Sequence, residues 1–513
     1  MDRVKLWPLD AERAALKNLR LLLIVFFCSL AASTAAHAHV GSKDVFETVS
    51  AGPYKLFVTI RMPVVIPGVA TVEVRSSGAP VSGIRITPMP ITGEASKHPP
   101  TSDPMTRSPS DPAFFTGSLW MMAAGSWEVR FEVNGDAGAQ VASVPVPAVA
   151  LSTLKMQRGL GITLGILGLF LVASMAGIVA AAVREARLEP GAAPSQSRKR
   201  KAVLATVGTL AIMAIVVWLG GVWWSAEAAS YSTDVYRPLK VTPSLSGNLL
   251  TLKVDAYTPE NERRARSNND FLPDHGHLMH LYVIRQPEMD AVYHLHPSLT
   301  GPGEFRMSLP AMPAGDYALY GDVVHASGFP ETLVANITVP ANMPGGSPGP
   351  DDAAASPPPL GAGQLGGSYK LPDGYVMVWD RPSVVTANTA YSFRFHLLGA
   401  DGKPATDMQP YMGMAGHAAF VKTDGTVFAH THPEGSAAMA ALMLANGGGH
   451  EGMNHAGMNM DMPMDMDMSE HSEPISNTVE FPYGFPSAGR YRIFVQMKHG
   501  TTVETGAFDV TVE

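Results

Sequence analysis

At 513 residues, with 46% hydrophobic side chains, 16% charged ones and a net charge of −8, the chain is too long for one ordinary domain and too poor in basic surface to be a nucleic-acid binder. Its single cysteine, Cys28, lies in an N-terminal apolar run. Removal of that run leaves no thiol, which excludes structural disulfides, iron–sulfur clusters, thiolate zinc sites, C-x-x-C-H haem attachment and a cysteine nucleophile.

In chain order, Arg3, Lys5, Arg13, Lys17 and Arg20 precede the apolar stretch "LLLIVFFCSLAASTAA", and Ala36-His37-Ala38 fits a small-x-small cleavage rule. Residues 1–38 therefore read as a signal peptide, and cleavage makes His39 the new N-terminus. Residues 39–150 carry alternating runs such as "YKLFVTIRM" and "SWEVRFEV" broken by Gly and Pro, the pattern of a β-sandwich. Residues 159–183 and 202–224 are each apolar enough and long enough to cross a bilayer as helices. The 184–201 loop between them holds Arg184, Arg187, Arg198, Lys199, Arg200 and Lys201, so it is expected to be cytoplasmic and both flanks to face outward. Trp218, Trp223 and Trp224 mark the outer interface, and neither span carries an ionisable residue, which reads as an anchor without an ion path. Residues 231–340 and 369–513 are two further sandwiches joined by a Pro/Gly/Ala linker, 341–368, expected to be extended and without a core. The expected fold is mainly β: three immunoglobulin-like β-sandwich domains outside the membrane plus a two-helix transmembrane hairpin, in a bacterial inner-membrane protein facing the periplasm or cell exterior.

The last two domains are copies of one unit. "HLYVIRQPEMDAVYHLHP" aligns with "HAAFVKTDGTVFAHTHP", placing His280 on His417, His294 on His430 and His296 on His432. Further on, "GDYALYGDVVH" aligns with "GRYRIFVQMKH", placing His325 on His499, and Glu331-Thr332 falls on Glu504-Thr505.

Spacing turns the repeat into a site. A hairpin turning at Asp424-Gly425 sets His417 opposite His432 and puts His430 on the same face. A turn over Pro287, Glu288 and Met289 does the same for His280, His294 and His296. Opposite Cβ atoms lie about 5 Å apart and diagonal ones about 7–8 Å, close enough for three imidazoles to share one ion. Before these strands, His275-Gly276-His277 in one copy is Met412-Gly413-Met414 in the other. Imidazole and thioether differ as packing groups and share the ability to ligate copper: imidazole suits Cu(II), Zn or Ni, and thioether selects Cu(I). The expectation is a His-rich site in the first repeat and a mixed His/Met site in the second, with His325 and His499 as further candidate ligands.

Two more features point to a soft metal. "GGGHEGMNHAGMNMDMPMDMDMSEHSE", 447–473, is too polar for a core and dense in thioethers, which suits low-affinity capture and exchange of a soft ion. After cleavage, His39 would offer amine and imidazole, and with His98 three nitrogens, the donor set of a copper "histidine brace".

The segments "GHAAFVKTDGTVFAHTHPEG" and "HLMHLYVIRQPEMDAVYHLHP" resemble the His-x-His-Pro segment of secreted bacterial β-sandwich proteins found with copper-handling systems, and "TGSLWMMAAGSWEVRFEV" is similar to the closing hairpin of YtkA-like and FixH-like domains. The resemblance implies an immunoglobulin-like sandwich and copper handling with no established reaction; the Met-rich loop departs from it. The sequence thus reads as a membrane-anchored copper-binding protein for resistance, storage or delivery, with copper transporters, chaperones or cuproenzymes as partners and zinc as the competing metal. A copper oxidase or monooxygenase built on His39 is the alternative enzyme reading, and a structural or adhesion module the alternative without metal.

Overall fold

A computed structural model describes residues 43–189, 191–256, 267–361, 366–447 and 475–513. The signal peptide, His39 and the Met-rich loop from residue 448 onward lie outside the described residues. The chain is mainly β, with six antiparallel sheets and two long apolar helices.

Each of the three β regions is a pair of sheets closed over its own core. In the first, strands between Val45 and Met121 form one sheet and strands from Val81 to Ala148 the other. Leu56, Val58 and Ile60 of one meet Val129, Phe131 and Val133 of the other. The alternation that marks these strands in the sequence is the alternation of core and solvent faces.

The helices run Arg158–Glu185 and Gln196–Ser232, pack along one another, and are long and apolar enough to cross a membrane. The second starts earlier and ends later than its apolar stretch. Ser195 caps its N-terminus by accepting from the Arg198 N–H, so Arg198, Lys199, Arg200 and Lys201 form the first turns of the helix and the connecting loop is shorter than the expected 184–201.

In the first repeat, the sheet containing His280–Gln286, Val292–Leu295 and Gly315–His325 faces a second sheet containing Leu249–Val254. The second repeat copies it with His417–Lys422, Phe428–Thr431 and Gly489–His499. The predicted registers hold: Leu281 pairs with Leu295, and Ala418 with Thr431. The second turn differs from expectation, because the Gly425 N–H bonds the Lys422 carbonyl, and only Gly425 of the Asp424-Gly425 pair has positive φ. That makes a four-residue loop closed by a left-handed glycine, which preserves the register.

These two hairpin sheets are buried on both faces. Leu281, Val283 and Leu295 enter their own core, whereas Tyr282, Ile284 and Val292 join Ala419, Val421, Phe428 and Phe494 of the other repeat in a separate cluster. The repeats therefore pack sheet to sheet, with Tyr320 stacked on Phe428 at 4.3 Å. Fully buried Arg492 pairs with Asp509 and donates to the carbonyls of Met289 and Pro358, tying one repeat to the turn of the other.

The linker, expected to be extended, contributes a short strand. Ala353–Ala355 adds to the edge of the first repeat's sheet, pairing Ala353 with His294. The edge strand leaves a row of backbone groups open, and an alanine run can lie against them without steric conflict. The first domain also touches the repeats: Thr48 N–H bonds the Glu434 carbonyl, and the Glu47 carboxylate accepts from Ala437 N–H.

Candidate metal centre

All six histidines of the two His-x-His hairpins lie on the faces that meet between the repeats. Their rings form one buried group: His294 and His430 are 5.3 Å apart between centroids, His280 and His430 5.5 Å, and His294 and His417 6.0 Å. The two histidine sets expected in separate domains lie side by side across the interface.

In its first half, partners fix the tautomers. His280 Nε2 lies 2.9 Å from the Asp274 carbonyl, so it carries the proton and leaves Nδ1 bare. His294 Nδ1 donates to Gln496 Oε1 at 2.8 Å and His296 Nδ1 to Asp352 Oδ1 at 3.1 Å, leaving both Nε2 atoms bare. Those bare nitrogens converge, with His280 Nδ1 3.1 Å from His294 Nε2 and 3.2 Å from His296 Nε2. Lone pairs facing one another at such distances repel, unless an ion sits among them. Tetrahedral ligands at a metal–nitrogen distance of about 2.0 Å stand about 3.3 Å apart.

In the second half, the ligand nitrogens of His275, His417 and His432 lie within 4.8 Å of one another. His275 belongs to the first repeat and reaches across the interface: its ring lies 4.8 Å from that of His432 and 5.3 Å from that of His417, and also 6.0 Å from that of His280. The cause is its turn, where His275 and Gly276 both have positive φ (50° and 84°) and the Asp274 and His277 backbones bond each other. Met412 and Gly413 repeat that turn with φ of 50° and 80°. A Met in the left-handed region costs on the order of 1 kcal/mol, so its side chain is aimed at that cost. Met414 is buried and Met412 half-buried.

The buried nitrogens His275 Nε2, His417 Nδ1 and Nε2, His430 Nε2 and His432 Nε2 have no hydrogen-bond partner among the described residues. Each such group costs about 1–3 kcal/mol in an apolar interior, a cost that coordination removes. Burial first, and then the neighbouring imidazoles, hold His280, His294, His417 and His430 well below the ordinary imidazole range. Burial and His275 push His432 down to about 4. The rings are neutral at neutral pH, the form that binds metal.

The supporting groups cross the interface as well. His294 is held by Gln496 of the second repeat, and His430 Nδ1 lies 3.4 Å from Asp322 of the first; Gln496 and Asp322 are equivalent residues. Tyr411 is fully buried beside His294 and His417, its hydroxyl bonded to the Asp351 carbonyl. Asp351 and Asp352 come from the linker. Sequence reasoning missed Tyr411, Gln496, Asp322, Asp351 and Asp352; only the last two carried a signal, as an acidic pair in an otherwise uncharged linker. A cavity of about 160 Å³, lined by Lys43 and Asp44 of the first domain and by His280, His430 and His432, leads to the cluster.

Other predicted ligands stand apart. His277 Nε2 contacts Asp351 at 3.2 Å and its ring stacks on His296, which makes it a support for the centre. His325 binds Asp270 and Glu331 through both nitrogens, at 2.8 and 3.0 Å. His499 sits in a separate carboxylate group with Asp373 and Glu504. His98 is exposed, 3.6 Å from Glu94.

Residues 370–513 match a family described as "Domain of unknown function (DUF8832)". No curated protein matches the sequence. Among solved structures, the chain is similar to a tetra-tandem repeat from the extending region of a large adhesion protein, at 8% identity, covering 88% of this chain and 72% of that one, with a TM-score of 0.16. A bacterial ice-binding adhesin matches at 7% identity over 90% of this chain and 99% of its own, with a TM-score of 0.15. A putative membrane-anchored protein from Corynebacterium diphtheriae matches at 9% identity over 91% and 94%, with a TM-score of 0.14. Overlays at these scores carry no common arrangement of the chain.

Proposed function

We propose that the protein is a membrane-anchored, outward-facing copper-binding protein for resistance, storage or delivery, and that the copper is held between its two repeats. The observation that carries this reading is the convergence of three proton-free imidazole nitrogens, His280 Nδ1, His294 Nε2 and His296 Nε2, at 3.1–3.2 Å in a buried site. A neutral all-imidazole set suits copper in either oxidation state as well as zinc, and hard ions poorly. The resemblance to YtkA-like and FixH-like domains, the outward topology expected from the basic connecting segment and the Met-rich loop favour copper. Copper transporters, chaperones and cuproenzymes are the partners this reading implies.

Copper titration of the detergent-solubilised full chain tests it. About two ions per chain are expected, one for each half of the cluster. His280→Ala and His417→Ala should each lower that number, and X-ray absorption should show nitrogen-only near neighbours. No retained copper, or wild-type copper content in both variants, overturns the reading; selective retention of zinc from an equimolar mixture replaces copper with zinc.

A further inference from the structure

The two repeats treat one equivalent position of the shared unit differently. In the first, His325 is fully partnered: Nδ1 to Asp270, Nε2 to Glu331, and the other Glu331 oxygen accepts from Tyr236 Oη and Leu239 N–H. In the second, His499, Asp407 and Glu504 occupy the matching places. His499 Nδ1 again lies by its aspartate, 3.2 Å from Asp407 Oδ2. Nothing caps Glu504 as Tyr236 caps Glu331, and among the described residues no hydrogen bond reaches its carboxylate. An additional carboxylate, Asp373, enters from the turn before the Val376–Trp379 strand.

His499 Nε2 is the informative atom. It is buried, it lies 2.9 Å from Asp373 Oδ2, and yet it has no hydrogen-bond partner, because the oxygen stands off the N–H direction. With Nδ1 donating to Asp407, Nε2 presents a lone pair to a carboxylate oxygen. Two lone pairs at that distance and angle are the arrangement of neighbouring ligands on one cation. The ligand atoms of Asp373, His499 and Glu504 all lie within 4.8 Å. Tyr375 stacks on the imidazole at 3.9 Å and donates to Asp407 Oδ2, so ring and second carboxylate are held in place. Burial and the nearby Asp373 raise the Glu504 carboxyl, a charge burden a cation would relieve.

We infer that Asp373, His499 and Glu504 form a second metal site, distinct from the imidazole cluster, for a divalent cation of the manganese or zinc class. One nitrogen with carboxylate oxygens is a harder donor set than the all-imidazole centre and excludes Cu(I). In the first repeat the carboxylates of Asp270 and Glu331 are already hydrogen-bonded to His325, so that position holds a proton where the second repeat holds an ion.

Manganese(II) is the probe, because an all-imidazole cluster binds it weakly and its free-ion electron paramagnetic resonance signal reports binding directly. Full chain in detergent, stripped of metal, should suppress the signal with a stoichiometry of one. Asp373→Asn and Glu504→Gln should weaken binding by about tenfold or more, whereas His417→Ala and Asp270→Asn should leave it unchanged. An undiminished free-ion signal with the wild-type chain overturns the inference whatever the variants do. So does wild-type affinity in both carboxylate variants, or a loss in His417→Ala equal to theirs, which would assign manganese to the imidazole cluster.

Discussion

His325 and His432 are buried histidines with opposite acid–base behaviour. Burial lowers the His325 pKa, but hydrogen bonds to Asp270 and Glu331 more than offset this and raise it above the ordinary value. Its contribution to stability is full below the unfolded pKa and is lost as pH rises through the folded one. His432 is pushed down to about 4, so the unfolded chain binds its proton first. Its contribution is full above the unfolded value of about 6.5 and is lost as pH falls toward 4. His280, His294, His417 and His430 are shifted the same way. The metal-free chain should therefore lose melting temperature steadily between about pH 6.5 and pH 4, with His432 alone worth about 3 kcal/mol. Thermal melts across that window check the sign, and a flat profile would show that the rings are solvated. His325→Ala should destabilise by about 3 kcal/mol through the stranded Glu331 while leaving copper stoichiometry intact. Parallel unfolding and metal analysis separate those two effects.

At the level of strands and turns, the hairpins align two imidazole sets only because a second apolar face covers them. Phe428 lies between Tyr282 and Tyr320, with ring centroids at 5.4 and 4.3 Å. Phe428→Ala should cost about 3–5 kcal/mol and also weaken copper binding, since His430 is two residues along the same strand face. Urea unfolding and copper titration on one preparation test this; lost stability with unchanged affinity would show that the interface does not position the ligands. The sequence made the hairpin registers legible, because a period of two and a turn fix which residues oppose. It also put the histidines on one face. What that face meets was encoded less directly: Tyr282, Ile284 and Val421 share it, and an apolar outer face on a sheet requires a cover. The local pattern does not name the cover. Crossing of His275 was hidden further, since it depends on a left-handed turn and on the approach of a sheet more than a hundred residues away. The linker's composition describes a chain without a core; that a three-alanine segment of it pairs with an open sheet edge could not be read from composition.

For the whole molecule, the two apolar helices and the basic segment between them set the expected sidedness. Cysteines introduced at Ser347 and Ser195 of the otherwise thiol-poor chain should label differently with an impermeant reagent in intact cells: Ser347 reached, Ser195 protected. Equal labelling would overturn the outward placement of the repeats. Ser195 caps the second helix, so the exposed Ala193 is the better position if the substitution frays it.

The crossing of His275 has a mechanical consequence. A coordinated ion there grips both repeats at once, and ions that bind only the assembled form stabilise it by about 2.7 kcal/mol at a free concentration of a hundred times Kd. An ion held as proposed would then act as a bolt between two bodies otherwise joined by packing, hydrogen bonds and the linker. Loaded as proposed, the two repeats would resist separation more than they do stripped, which small-angle scattering of loaded and stripped protein would read as a change in radius of gyration.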